Sequence, residues 1–237
     1  TINGIVAAGM TVVILSGGID LSVGAVIALA GAISAGVLAG TQSLILAVGV
    51  ALFMGALIGA VNGALVAYPK LPPFIVTLAT MALARGLTLV YTGGRPILVD
   101  HRPYEFIGAG FLGPIPFPVV IMAVLYVVMH IVLKHHKFGR LVYSIGGNEE
   151  ACRLSGINVE RIKVGIYTLS GLMAGLTGIV LTSRLISAQP TAGTGYELDA
   201  IAAVILGGTS LAGGQGHIGG TIIGAFIIGV LSNGLNL

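Results

Sequence analysis

Charge is what this chain has least of. Only 8% of its 237 residues are Asp, Glu, Lys or Arg, against about a quarter in a soluble domain. In contrast, 56% are hydrophobic and the mean hydropathy is +1.05. That balance excludes a soluble globular protein. Cysteine occurs once, at Cys152, which excludes an intrachain disulfide and any cysteine-spaced metal site. A start Met, a basic leader and a cleavage site are missing ahead of the first apolar run. The chain begins at Thr1 in hydrophobic sequence and stops at Leu237 with no polar tail. It reads as one transmembrane domain over residues 1–237, lacking material at both ends. The net charge of +3 is too small and too concentrated to point to a nucleic-acid partner.

What is present is a series of apolar runs, each to be weighed against the roughly 20 residues of a membrane span. Ile5 to Ser16 is short, and "GGIDLS" (Gly17 to Ser22) breaks it. Runs follow at Val23 to Gly40, Leu44 to Tyr68, Phe74 to Tyr91, Phe117 to Leu133 and Val164 to Ser183, with the tight turn "PKLPP" after Tyr68. Residues Thr92 to Pro116 form a Gly- and Pro-rich loop, partly structured. Arg184 to Glu197 is polar and turn-rich. "LDAIAAVIL" (Leu198 to Leu206) is apolar but too short to cross, and "GGTSLAGGQGHIGG" separates it from a last run to the terminus. A half-length helix ending in glycines reads as a broken or re-entrant segment, which must face protein or a water-filled cavity. The expected fold is an all-α polytopic membrane protein. It is a bundle of transmembrane helices with a broken or re-entrant segment near the C-terminal end, and lipid is the solvent of its spans.

The few charges cluster. Six of the eleven Lys and Arg lie between Lys134 and Lys163, with three of the eight acids. Short cytoplasmic loops collect Lys and Arg, so residues 134–163 are expected inside the cell. The Thr92 to Pro116 loop and the Arg184 to Glu197 stretch are then outside. Within the island, Asn148 is a good N-cap, and Glu149 and Glu150 follow where the helix dipole favours acids. Arg153 comes later, and Gly156 suits the left-handed position after the last turn. A two-turn helix from Glu149 to Ser155 follows, either an ordinary solvated loop element or a preformed knob that docks into another protein.

Here the residues carry a resemblance. "NEEACRLSGI" resembles the cytoplasmic coupling segment of bacterial ABC importer permeases, Glu-Ala-Ala, three residues, then Gly. It runs here through Glu150, Ala151, Cys152, Arg153 and Gly156, with Cys152 in place of the usual Ala. "GGIDLSVGAVIALAG" and "SAQPTAGTGYELDAIAAVILGGTSLAGGQG" are similar to the monosaccharide branch of that family, the ribose type most of all. The resemblance spans the chain and implies a multi-pass subunit of the bacterial inner membrane. Its implied partners are a second permease copy, a cytoplasmic ATPase subunit and a periplasmic sugar-binding protein. The site implied for ATPase coupling is Asn148, Glu149, Glu150, Ala151, Cys152, Arg153 and Gly156. ATP and Mg would sit on the ATPase, with no cofactor in this chain.

The residues agree on that last point. A Walker A loop needs G-x-x-x-x-G-K-[ST], and none of Lys70, Lys134, Lys137 and Lys163 has that context. Gly214, Gly216 and Gly219 spell G-x-G-x-x-G, but the acid that a dinucleotide site needs downstream is missing, since none follows Asp199. No H-E-x-x-H occurs, nor a nucleophile, base and acid in recognisable order, so an enzyme is not expected. Glycines at 55, 59 and 63, at 171 and 175, and at 216, 220 and 224 make small-xxx-small faces for close helix packing. Polar residues within spans are costly. Asp20, Asn62, Arg85, Gln189 and Thr194 are candidates to line a translocation path. The structural alternative for Arg85 is a pair, with Asp20 as a partner. Glu197 and Asp199 are read as caps of the half-helix or as outward contacts. His130, His135 and His136 mark the membrane interface rather than a metal site. The competing function is a secondary transporter driven by an ion gradient, which should show paired intramembrane acids or a His relay. A channel would need no docking helix.

Overall fold

A computed structural model describes residues 1–235, apart from the side chains of Asn233 and Leu235. The first helix, α1 (Ile2–Leu15), is buried on nearly every face, between helices that come later in the chain. It ends where Ser16 turns its hydroxyl back onto the Val13 carbonyl (2.7 Å) and Gly17 takes φ +78°. Asp20 then accepts the Ser22 N–H (3.0 Å), a side-chain turn that launches α2 (Val23–Thr41). The third helix, α3 (Leu44–Ala67), starts at the Ser43 cap. After the Lys70 turn, α4 (Pro73–Thr92) begins on a proline, whose missing N–H costs nothing at a helix start.

The loop after α4 is structured as expected. It holds β1 (Ile97–Leu98), the His101-capped α5 (Arg102–Ala109), and a hairpin of β2 (Phe111–Leu112) and β3 (Ile115–Pro116). Next comes α6 (Phe117–His135). Two short helices, α7 (Lys137–Gly147) and α8 (Glu149–Leu154), lead into the long α9 (Val159–Leu185). β4 (Ser187–Ala188) pairs antiparallel with β1, so the two loops expected on one side of the membrane do meet at one end. The half-length helix is α10 (Tyr196–Leu206), and α11 (Ile218–Leu235) closes the described chain. The last residues of the apolar run read toward Leu237 lie outside the described residues.

Among the described residues, five helices (α2, α3, α4, α6 and α9) are long and apolar enough to cross a membrane. They match the second to sixth sequence runs. At 1.5 Å per residue, the 27 residues of α9 give about 40 Å, and it packs against α1, α2, α3 and α5. Glycine permits the closest of these contacts. A Cβ on Gly59 would collide with the Tyr167 carbonyl, one on Gly63 would reach the Val164 Cα at 2.7 Å, and one on Gly55 would strike Gly171. Gly220 and Gly224 do the same for α11 against Gly207, just after α10, and Ala203 of α10. Gly216 does not belong to that face. It precedes α11, at φ +142°, and rests on Thr209.

Candidate functional site

The charged island holds two whole helices, α7 and α8, between the end of α6 and the start of α9, rather than a loop carrying one. α7 was not expected, although Val142 and Ile145 bury one side of it. Its Gly146 abuts the Leu15 carbonyl that ends α1, and Leu15 also accepts the Gly214 N–H at 2.9 Å. The end of α7 therefore touches the end of the buried α1.

α8 forms for the local reasons read from sequence. The Asn148 side chain accepts the Ala151 N–H at 2.9 Å, Glu149 and Glu150 lie in the first turn, and Gly156 takes φ +80°. The helix ends one residue earlier than expected, with Ser155 as its C-cap. Cys152 is buried, clustering with Ile145 and Val159, and so fixes α8 to both neighbours. Arg153 pairs with Glu149 at 3.1 Å and with Glu160 at the start of α9. Lys163 of α9 reaches Glu149 at 2.5 Å. Burial raises the Glu149 carboxyl, but Lys163 and Arg153 outweigh it and hold the group below its ordinary value.

What α8 leaves outward is equally defined. Glu150 and Ala151 are exposed, and Leu154 is 83% exposed. An apolar side chain that bare, on a helix pinned from behind, is open to contact from outside the chain. Sequence reasoning named Glu150 and Ala151 but missed Leu154, whose i+4 spacing from Glu150 was the available signal.

The five candidate path residues fall into two neighbouring groups. Asp20 is 1% exposed and accepts from the Ser22 hydroxyl (2.6 Å) and the Ser170 hydroxyl (2.9 Å). Asn62 donates to the Ser22 oxygen at 2.9 Å and accepts from Thr80 at 2.6 Å. This chain of hydrogen bonds ties α9, the α1–α2 turn, α3 and α4 together, and Ser170 and Thr80 were not foreseen. Arg85 does not pair with Asp20, whose acceptor positions the serines occupy. Its Nη1 donates instead to the carbonyls of Ala192 (2.8 Å) and Pro190 (3.3 Å), in the segment before α10. That segment carries Gln189, bonded to Ser187 at 2.9 Å, and the exposed Thr194, bonded to the Thr191 carbonyl at 2.8 Å. Gly193 there lies against Gly24 in the first turn of α2, so both groups border the start of α2. Glu197 is folded inward against Gly24, with one carboxylate oxygen buried and unpartnered, and Asp199 accepts from Asn3 at 3.0 Å. Neither acid is a plain outward contact.

A bundle of membrane-length helices, a broken segment beside a buried polar network, and a pinned helix with a bare apolar tip together define a membrane transport subunit. The chain belongs to the family described as branched-chain amino acid transport system / permease component, whose model matches residues 1–237. It is therefore a transporter subunit and not an enzyme. It is 52% identical over 241 residues to the ribose import permease protein RbsC of Escherichia coli strain K12, covering all of this chain and 75% of that protein. Identity to RbsC of Bacillus subtilis strain 168 is 54% over 238 residues, covering 74% of that protein. The L-arabinose transport system permease protein AraH of E. coli K12 is 40% identical over 237 residues, with 72% of it covered. No solved structure matches significantly.

Proposed function

We propose that this chain is the membrane-spanning subunit of an ATP-binding cassette importer that carries ribose or a similar monosaccharide across the bacterial inner membrane. The observation that carries the sugar reading is the match of the whole chain, at more than half identity, to ribose import permeases. The family description names amino-acid transport, but the D-allose and L-arabinose transport system permease proteins of E. coli K12, at 41% and 40% identity, carry sugar names.

ATP and Mg belong to a separate ATPase subunit, a periplasmic binding protein delivers the sugar, and a second copy of this chain completes the pathway within the lipid. The α6–α9 connection faces the cytoplasm by its excess of Lys and Arg. There the bare Leu154, with Glu150 and Ala151, presses into the ATPase. The geometry behind α8 supports a lever. Glu149 is bonded to Lys163 of α9, and α9 reaches the Asp20 network through Ser170. Closure of the ATPase would displace α8 and the foot of α9, and would work on the polar junction that Arg85, Gln189 and Thr194 border. Asp20 and Asn62 are buried in this state and would meet the sugar only when that junction opens.

The test is sugar uptake by cells expressing the full-length protein with its ATPase and binding protein. Collapsing the proton and sodium gradients while ATP is preserved should leave uptake intact, and depleting ATP should abolish it. Uptake that follows the gradient would instead establish the secondary transporter.

A further inference from the structure

A cavity of about 540 Å³ opens where the end of α6, one side of α7 and the start of α11 converge. Its rim carries His130 and Lys134 from α6, Arg140 and Ser144 from α7, and His217 just before α11. The floor is apolar, made by the buried Leu133 and Ile218. Among the described residues, no carboxylate lines the cavity. Among the described residues the ion pairs of this end of the molecule join Glu149 and Glu160 to Arg153 and Lys163, leaving Lys134 and Arg140 without an acidic partner. The scaffold is held in place nonetheless, because the Tyr143 hydroxyl donates to the Gly216 carbonyl at 2.8 Å and ties α7 to the α11 entrance.

From this geometry we infer that the cavity binds the phosphodiester headgroup of an anionic phospholipid. Two cations and two imidazoles line one concave site, which suits a single anionic oxygen cluster rather than a neutral sugar. The site lies at the basic end of a membrane-spanning helix, the level at which lipid phosphates lie. The helices leading away from it present bare apolar side chains, Val127 and Ile131 on α6 and Ile223 on α11, as acyl chains require. Basic pockets between helices on the cytoplasmic side recognise headgroups in this way. A bound lipid would brace α6 against α7 and α11, and so support the platform from which α8 projects.

Native mass spectrometry of the full-length permease, titrated with phosphatidylglycerol or phosphatidylcholine, tests this. The wild-type protein should retain phosphatidylglycerol preferentially, and Lys134→Gln/Arg140→Gln should weaken that binding by about tenfold or more. Lys134→Arg/Arg140→Lys should keep it, as should Lys137→Gln, which removes a nearby cation outside the cavity. Millimolar inorganic phosphate should not displace the lipid. Equal binding of the two lipids, equal losses for Lys137→Gln and the cavity variant, or displacement by phosphate would each overturn the proposal. So would a cavity variant that keeps its lipid and loses its ATPase instead, which would make the rim a protein contact.

Discussion

Glu149 and Leu154 divide the work of one short helix. Glu149 points inward to Lys163 and Arg153, and Leu154 points away from everything in the chain. A six-residue helix is marginal alone, so the knob owes its shape to the Asn148 cap, the Cys152 anchor and these ion pairs. The pair from Glu149 to Lys163 is partly exposed and contributes on the order of 1 kcal/mol or less. Its pH dependence has a definite sign. Because the folded Glu149 carboxyl is held below its ordinary value, the contribution is fully present above the ordinary glutamate range. It is lost as pH falls from there through the depressed folded value. A fluorophore on Leu154→Cys, in a Cys152→Ala background, should show steady anisotropy near neutral pH and a fall on acidification. Glu149→Gln should show the lower anisotropy already at neutral pH. At this scale the sequence was legible where interactions are local, as with the cap, the acids and Gly156. It was silent where partners are far apart. Ser170 and Asp20 are 150 positions apart, and nothing in either neighbourhood announces the other.

Between elements, backbone contact replaces side-chain interlocking. The α3–α9 seam brings Gly55, Gly59 and Gly63 against Gly171, Tyr167 and Val164, a packing mode suited to lipid, where apolar side chains gain nothing by leaving their solvent. Gly59→Leu should therefore force the helices apart and destabilise the fold by about 1–3 kcal/mol, read as a lowered unfolding temperature of the purified full-length protein. Gly49→Leu, on the same helix with nothing within 4 Å of its added carbon, should leave that temperature unchanged. The small-xxx-small spacing marked the glycine faces in advance, though not that these two meet, and apolar run lengths gave the five long helices. Two features escaped. α7 was hidden because Lys137, Arg140 and the glycines around it mask the spacing of Phe138, Val142 and Ile145. The alternative pairing of Arg85 with Asp20 failed because its acceptors are main-chain carbonyls, which no side-chain pattern reveals.

For the whole molecule, the account is a mechanical one. On the proposed function, force would enter at α8, pass to the foot of α9 through Glu149 and to the end of α1 through α7, and arrive at the polar junction around Asp20 and Arg85. Arg85 holds the segment before α10 there through two main-chain carbonyls, beside the close contact of Gly193 with Gly24. The direct test is reconstitution of the full-length permease with its ATPase and binding protein in vesicles, measuring ATP hydrolysis and ribose uptake together. Leu154→Asp and Glu150→Lys should leave the permease folded, with unchanged unfolding temperature. Each should lower uptake by about tenfold or more and abolish the stimulation of hydrolysis by sugar-loaded binding protein. Full uptake and full stimulation in both variants would contradict the account.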